Sequence, residues 1–347
     1  MYRMEKFSSF LNEQKDVPYE LLIVSHDGID DVNETGPLIH KTAKKLGIKS
    51  YLAETMGSYM EETKDGRMYY SFPVDDKGQA ELPNTKNPVD YQKGFEINPK
   101  TTLVMMRGLN PRASCESWRV QAKTLEHEGY KLVNSVRCND ICNDKWHNHI
   151  IFMRENIQAP KTFLVRHSEG SLDAAKKLNN KYPMILKTAV GSIGVGVMYV
   201  ESPKALEGIV QLLYRENKYI DILLQEYIKT DYDVRVIVVA GQVMGAMKRP
   251  IVSGDFRSNV SQGSVPEMHE LTDLEISESL RAAKAVDGLW VGVDFIPAKN
   301  RETDKPFFIE VNSNPGLTGI EETFSKKFSM TEKILKMFYD RDNWNGR

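Results

Sequence analysis

The segment FFIEVNSNPGLTGIE, at residues 307–321, begins with a strand pattern that carries two polar residues on one side. Glu310 and Asn312 are two positions apart, and side chains two apart on a strand leave the same face of a sheet. The segment therefore predicts a strand that presents a carboxylate and an amide at the same place.

A second predicted strand supplies a third polar group. Asp294 lies within the apolar sequence WVGVDFI, where an isolated carboxylate is costly unless it is paired or binds a cation. The polar residues 299–305 between the two strands predict a hairpin turn, which would bring Asp294 close to Glu310 and Asn312. Two carboxylates and one amide are oxygen ligands of the kind that Mg²⁺ binds. Taken alone, the pattern fits a magnesium site and a pair of salt-bridged sheet carboxylates equally well.

The order of the predicted elements indicates an α/β protein with an α+β middle part. A strand at 20–25, a helix at 33–46 and a strand at 49–53 predict a βαβ unit and a parallel sheet. Residues 57–100 are polar and rich in Pro and Gly, which predicts an insertion with a hairpin at 68–74. The other predicted strands are 102–106, 130–133, 161–165, 183–187, 197–201, 222–227, 233–239, 242–248, 291–297 and 307–312, and the other predicted helices are 116–128, 145–156, 171–179, 203–216, 273–286 and 319–339.

Composition places the chain among globular enzymes. It has 347 residues, 41% of them hydrophobic and 27% charged, and a formal net charge of −2, which argues against a dedicated nucleic-acid binder. No signal-peptide pattern and no apolar run of membrane-spanning length is present, so we expect a cytoplasmic protein without a membrane partner. Cys138 and Cys142 near His147 and His149 form part of a zinc pattern but lack a second cysteine pair, so we expect no zinc site.

Candidate phosphate-binding residues follow the predicted strand 183–187. Lys187 ends an apolar run, and the glycine-rich sequence that follows includes Gly191, Ser192 and Gly194. Glycines let backbone N–H groups approach phosphate oxygens closely, and a lysine beside them supplies a positive charge. The loop is not a P-loop, and taken alone it is better explained as a glycine-rich turn with a surface lysine.

Two further segments contain groups suited to a nucleotide and an acidic substrate. The end of the strand 222–227 has a free backbone edge that is able to bind an adenine, although, taken alone, the segment is better explained as a core strand that ends in a loop. Two guanidiniums near a phosphate site would hold an acyl phosphate and a carboxylate, although a solvated basic loop is the usual case. The residues concerned are Gln225, Glu226, Tyr227, Ile228 and Asp233 in the first segment, and Arg249, Arg257, Ser258 and Asn259 in the second.

Taken in order, these segments resemble the RimK-like branch of the ATP-grasp superfamily, whose name-giving member adds glutamates to the C-terminus of a ribosomal protein. The resemblance covers about residues 134–339 and is strongest in DVRVIVVAGQVMGAMKR, GDFRSN, GVDF and IEVNSNPGLTGIE. It implies an ATP-grasp fold with an N-terminal pre-ATP-grasp domain at 1–134, a central lid at 135–225 and a C-terminal subdomain at 226–347. It also implies ATP and Mg²⁺, or Mn²⁺, as cofactors.

The resemblance assigns roles to the candidate residues. Lys145 and Lys187 match the two lysines that reach the nucleotide phosphates, which makes His147 and His149 plain helix residues. Lys187, Arg249 and Arg257 are implied as catalytic residues. The implied nucleotide contacts are Lys145, Lys187, Gly191, Ser192, Gly194, Gln225, Glu226, Tyr227, Ile228, Asp233, Arg249, Arg257, Ser258 and Asn259, and the implied metal ligands are Asp294, Glu310 and Asn312.

The implied activity is a carboxylate–amine ligation through an acyl phosphate. The expected partners are ATP, an amino-acid donor and a carboxylate acceptor such as a protein C-terminus, and the chain is a candidate homo-oligomer. A small-molecule peptide ligase and a non-catalytic ATP-binding module stay open as alternatives. Family members often have a second arginine where this chain has Pro250, and the connection between Asp294 and Glu310 is longer than usual, so the acceptor is left open.

Overall fold

The computed structural model describes residues 19–25, 35–54, 58–72, 74–75, 94–107, 115–190, 196–251 and 265–345. Four sheets organise these residues, and the apolar patterns above predict most of their strands, but not those at Tyr59–Glu62, Phe95–Ile97 and Glu267–Met268. The strands, numbered in chain order, are β1 Glu20–Ser25, β2 Ser50–Glu54, β3 Tyr59–Glu62, β4 Arg67–Tyr70, β5 Phe95–Ile97, β6 Thr102–Met106, β7 Lys131–Val133, β8 Thr162–Val165, β9 Met184–Thr188, β10 Val197–Val200, β11 Ile222–Glu226, β12 Tyr232–Val239, β13 Gln242–Pro250, β14 Glu267–Met268, β15 Trp290–Ile296 and β16 Phe307–Asn312.

The described helices lie between and beside these sheets. Several begin at side-chain caps that the sequence supplies, such as Ser202 before α6 and the Thr272–Glu275 capping box before α7. The helices are α1 Thr35–Lys45, α2 Cys115–His127, α3 Val136–Asn143, α4 Lys145–Arg154, α5 Gly170–Lys177, α6 Pro203–Glu216, α7 Asp273–Ala285, α8 Thr318–Phe324 and α9 Met330–Met337, with a 3₁₀ helix at Arg341–Asn345.

The N-terminal sheet is parallel, as the βαβ pattern predicts. Its strand order is β2-β1-β6-β7, and every pairing within it is parallel. Its two central strands, β1 and β6, are almost fully buried, because apolar side chains cover both faces. A small antiparallel sheet, β3-β4-β5, packs beside it through Tyr69, Phe95 and Ile97.

Two antiparallel sheets form the remainder. The smaller one has the order β10-β9-β11-β8, and α5 and α6 cover its apolar face. The larger one has the order β14-β13-β12-β15-β16. On one face of this larger sheet, residues such as Val234, Val236, Val293 and Phe308 pack against α3, α4 and α7. The opposite face carries the polar residues described below.

Three details differ from the sequence-based expectations. The hairpin expected at 68–74 lies earlier, because β3 pairs with β4 and the turn falls between Glu62 and Arg67. The single helix expected at 319–339 is two helices, since the hydroxyl of Ser329 accepts the N–H of Glu332 and starts α9 anew. The helix α3 was not expected, and Ser135 caps it in the same way. Among the described residues, no helix combines the length and the apolar character needed to cross a membrane.

Candidate functional site

Polar residues of four neighbouring strands meet on one face of the larger sheet. Register places Asp233 opposite Arg249, Asp294 opposite both Arg235 and Glu310, and Asn312 opposite Gly292. Side chains directly opposite on paired strands lie on the same face. The pairing of β15 with β16 therefore brings together Asp294, Glu310 and Asn312, the three metal ligands predicted from the sequence. The two strands form the hairpin that the polar residues 299–305 predict.

Four of these residues form a chain of alternating charges. Arg235 donates Nε and Nη2 to the two oxygens of Asp294 at 2.7 and 2.6 Å. Arg249 donates Nε and Nη2 to the two oxygens of Asp233, both at 2.7 Å. Nη2 of Arg249 also donates to Oδ2 of Asp294 at 2.9 Å. Bidentate pairs of this kind hold both partners in one orientation.

Burial and charge act in opposite directions on these groups. Burial alone raises the pKa of Asp294, but the guanidiniums of Arg235 and Arg249 outweigh it and lower that pKa to about 2. Burial lowers the pKa of Arg249, but Asp294 and Asp233 outweigh it and raise it above its ordinary value. Asp294 and Arg249 are therefore both charged at neutral pH, and each is compensated by partners of opposite charge.

The three proposed metal ligands fit a cation of the Mg²⁺ type by the chemistry of their oxygens. Asp294 accepts three N–H groups, and since a carboxylate has about four acceptor positions, one is left for a cation. Glu310 is half-buried, and Oδ1 of Asn312 accepts the N–H of Asn314 at 2.8 Å. No group of three or more His, Cys, Asp or Glu side chains suited to a metal occurs in the described part of the chain. Asp294 is thus both a salt-bridged sheet residue and a candidate ligand.

Lys187 reaches this face from the smaller sheet. It lies on β9 with 8% of its surface exposed, and burial lowers its pKa to about 8. The charge of Glu310 raises this pKa and the charge of Lys145 lowers it further, so both charges act on Lys187. Lys145 opens α4, and its backbone N–H donates to the carbonyl of Ala189 just after β9. Lys187 is therefore buried, rather than the surface lysine that the isolated pattern favoured.

The strand end proposed for adenine is the C-terminal end of β11, which is paired with β8 and β9 on its two sides and so is not the free edge that the sequence predicted. The side chain of Gln225 donates to Oγ1 of Thr162 at 2.7 Å, and the backbone N–H of Glu226 donates to the carbonyl of Lys161 at 2.9 Å. These two donors are used within the protein. Tyr227 and Ile228 follow the strand and are half-buried.

Several proposed residues have no structural description here. Those outside the described residues are Gly191, Ser192, Gly194, Arg257, Ser258 and Asn259. Their roles stay as predicted from the sequence. Asp233, proposed for the ribose, lies in the described part and has both carboxylate oxygens bonded to Arg249.

Four residues at or behind the site were missed by the reasoning from sequence. Arg235 had a usable signal, because it lies two positions after Asp233 and so shares its face. His149 was taken as a plain helix residue, but it is buried beside Lys187, and burial and that charge lower its pKa to about 4. The other two, Arg107 and Asn134, had no local signal, because their partners are far away in sequence.

Arg107 and Asn134 connect the N-terminal sheet to the strand ends of the site. Arg107 donates Nη2 to the carbonyl of Pro315 at 2.6 Å, and its guanidinium lies 4.4 Å from the ring centre of Trp290. Its own carbonyl accepts the side chain of Asn314 at 2.7 Å. The side chain of Asn134 donates to the carbonyls of Trp290 and Ser313, both at 2.6 Å. The loop after Asn312 is therefore held by the neighbouring sheet.

The sheets and this polar face define an ATP-grasp protein, and the solved structures that share the fold agree. The RiPP-associated ATP-grasp ligase of Chryseobacterium gregarium superposes with a TM-score of 0.66 at 14% identity, covering 93% of this chain and 97% of that one. D-alanine–D-alanine ligase of Bacillus anthracis superposes with a TM-score of 0.61 at 16% identity, covering 94% and 98%. At such identities the likeness shows the fold alone. It confirms the predicted α/β ATP-grasp fold.

Sequence comparison identifies the family. A model of the RimK-like ATP-grasp domain matches residues 142–338, and the chain belongs to this family. A probable alpha-L-glutamate ligase of Vibrio parahaemolyticus is 31% identical over 270 residues, which are 76% of this chain and 86% of that protein. Probable alpha-L-glutamate ligase 2 of Pseudoalteromonas atlantica is 35% identical over 185 residues, which are 53% of this chain and 59% of that protein. Two further relatives of this name, from Marinomonas and Stutzerimonas stutzeri, are matched over 66% and 57% of their lengths.

Proposed function

We propose that the protein is an ATP- and Mg²⁺-dependent ligase that joins a carboxylate to an amine, and that it adds an amino acid such as glutamate to the C-terminus of a peptide or protein. The observation that carries the proposal is that the buried Lys187 of one sheet feels the charge of Glu310 on the other, where Glu310 lies directly opposite Asp294 and Arg249 donates to Asp294. The names of the relatives support glutamate as the amino acid.

The reaction has two steps that need little covalent help from the protein. A carboxylate oxygen of the acceptor attacks the γ-phosphorus of ATP, the bond to the β-phosphate oxygen breaks, and an acyl phosphate and ADP form. The amine nitrogen then attacks the acyl carbon, the carbon–oxygen bond to phosphate breaks, and a proton leaves the amine. Catalysis of such transfers depends mainly on positioning and on neutralising charge.

The chain supplies positive charge on two sides of the site. With a pKa of about 8, Lys187 is mostly protonated at pH 7, and the negative phosphates would favour that form further. Arg249 is held by Asp233 and Asp294, so its guanidinium stands in one place without reorganising during the reaction. Lys145 adds a third charge near Lys187.

Glu310, Asn312 and the remaining acceptor position of Asp294 would hold Mg²⁺. The cation would neutralise charge on the phosphates. Because the N–H of Glu226 is bonded to Lys161, we assign the contact with adenine to the backbone of Tyr227 and Ile228. The glycine-rich sequence around Gly191 and Gly194 would cover the phosphates, and the segment from Arg257 to Asn259 would complete the pocket. We place the enzyme in the cytoplasm, where ATP is available.

The test is release of ADP from ATP and Mg²⁺ with each amino acid as amine donor, with and without a peptide that offers a free C-terminal carboxylate. We expect release with glutamate and the peptide together, and mass spectrometry should show the peptide extended. Glu310→Gln should abolish release, whereas Glu302→Gln, the same charge change on the exposed loop before β16, should not. Absence of ADP with every donor would refute the ligase. Release with glutamate and no peptide would favour a small-molecule acceptor.

A further inference from the structure

Arg235 has no role in the function proposed above, although it makes the most direct contact with a proposed metal ligand. It lies on β12 directly opposite Asp294 on β15. Its side chain is 16% exposed and that of Asp294 is 4% exposed, so the pair is almost entirely removed from solvent. A buried bidentate pair of this geometry fixes the orientation of both groups.

The stem of Arg235 is held as well as its guanidinium. Gly292 lies two positions before Asp294 on β15, and a β-carbon there would stand 3.5 Å from Cδ and Nε of Arg235 and 3.0 Å from Cβ of Pro315. The aliphatic part of the Arg235 side chain therefore lies along the backbone of β15, in space that the side chain of any residue larger than glycine at position 292 would occupy. The guanidinium reaches Asp294 from a fixed direction and leaves the other side of the carboxylate to Arg249.

The charged groups of the face carry a small net positive charge when no phosphate is present. The basic groups brought together are Lys145, Lys187, Arg235 and Arg249, and the acidic groups are Asp233, Asp294 and Glu310. Four positive charges stand against three negative ones, so these residues alone do not attract a divalent cation. Two guanidiniums within hydrogen-bond distance of Asp294 also repel a cation that binds there.

We propose that Arg235 is a positioning residue that restricts Asp294 to one free acceptor position, and that cation binding at this site therefore depends on the phosphates of the nucleotide. The proposal rests on the proposed function for the identity of the site. It explains why three of the oxygen positions of Asp294 are taken by N–H groups, and why Asn312 also has its Oδ1 bonded. The polyphosphate supplies both the missing oxygens and the missing negative charge.

The test measures binding of Mn²⁺ to the full chain by the loss of the electron paramagnetic resonance signal of free Mn²⁺. Titrations are made without nucleotide and with a non-hydrolysable ATP analogue, for wild type and for Arg235→Met, and the Mn²⁺ that the analogue binds in the absence of protein is subtracted. Wild type should bind Mn²⁺ at least about 10-fold more tightly with the analogue than without it. Arg235→Met should bind Mn²⁺ at least about 5-fold more tightly than wild type without the analogue, and should gain less from it. Unchanged or weaker binding by the folded variant would overturn the proposal.

A matched control and a second variant keep the test independent of folding. Arg301→Met removes an arginine that also makes a bidentate pair with a buried carboxylate, that of Glu275, and it should leave Mn²⁺ binding unchanged. An equal gain in Arg301→Met would overturn the proposal. Arg235→Lys keeps the charge but loses the planar fork, so its affinity should fall between wild type and Arg235→Met. If Arg235→Met does not fold, an affinity of Arg235→Lys equal to that of wild type decides against the proposal.

The two proposals fail in different ways. If no ADP is released with any donor, the ligase is refuted, but the comparison of Mn²⁺ affinities keeps its meaning. If the Mn²⁺ affinities do not differ while ADP release depends on Glu310, the ligase stands and the role of Arg235 is refuted.

Discussion

Asp294 and Glu310 are both proposed as metal ligands, but the structure predicts different effects on stability when each is neutralised. Asp294 is 4% exposed and compensates two guanidiniums, whereas Glu310 is half-buried, and none of the ion pairs in the described part of the chain includes it. Removing one partner of a buried ion pair costs about 3–5 kcal/mol, because the remaining charge is left without compensation. Asparagine keeps the shape and one oxygen, so we expect Asp294→Asn to lose about 3 kcal/mol of unfolding free energy.

Glu310→Gln should change the unfolding free energy by less than about 1 kcal/mol, as is usual for a partly exposed residue outside such a network. The assay is urea unfolding followed by far-ultraviolet circular dichroism, with EDTA present and nucleotide absent, so that ligand binding does not contribute. Both variants should lose ADP release. Equal stability of the two variants, within about 1 kcal/mol, would refute the reading of Asp294 as the centre of the buried network. Glu302→Gln serves again as the exposed control.

Three further outcomes follow from the same structure. Asn134→Ala removes four hydrogen bonds of 2.6–2.8 Å to buried backbone groups and should cost at least about 3 kcal/mol in urea unfolding; a loss under 1 kcal/mol would contradict this. Lys187→Met should weaken binding of an ATP analogue at least about 10-fold in calorimetry. It should also raise the melting temperature, because it removes a buried cation. A lower melting temperature would count against burial as the cause of the lowered pKa of Lys187. Burial raises the pKa of Glu275, but hydrogen bonds, first that from Arg301, outweigh burial and lower this pKa from 4.5 to about 2. The ionised Glu275 should therefore stabilise the fold by on the order of 2 kcal/mol above pH 4.5, and thermal melts should show this stability being lost as the pH falls towards 2. Arg301→Met should reduce this loss of stability between pH 4.5 and 2. An unchanged loss would show that another group controls it.

Local patterns predicted the elements of the fold more reliably than their ends. The apolar runs predicted the strands of the N-terminal sheet and all strands of the larger sheet except β14, because buried strands are short and continuous in apolar residues whereas β14 is exposed. They did not separate α8 from α9, since the apolar spacing continues across 325–329 and only the cap at Ser329 divides the helices. They also missed α3, whose first turn depends on the hydroxyl of Ser135.

The site was predictable in part for the same reason. Glu310 and Asn312 share a face because the period of a strand is two, and Asp294 joins them because a hairpin pairs neighbouring strands. The ordered motifs indicated the family, and the match over residues 142–338 confirms it. The roles of the individual residues stay proposals that the variants above test.

Residues 307–321 by themselves determined that a carboxylate and an amide leave one face of a strand, because side-chain direction depends only on the local backbone. Only the tertiary structure decided what surrounds them. Asp294 receives Arg235 and Arg249 from strands about 45 to 59 residues away in sequence, and Lys187 approaches Glu310 from another sheet. Register and the packing of sheets set such meetings, and no local period encodes either. The sequence therefore predicted the oxygen ligands, and only the structure placed Asp294 in a buried network with Arg235 and Arg249.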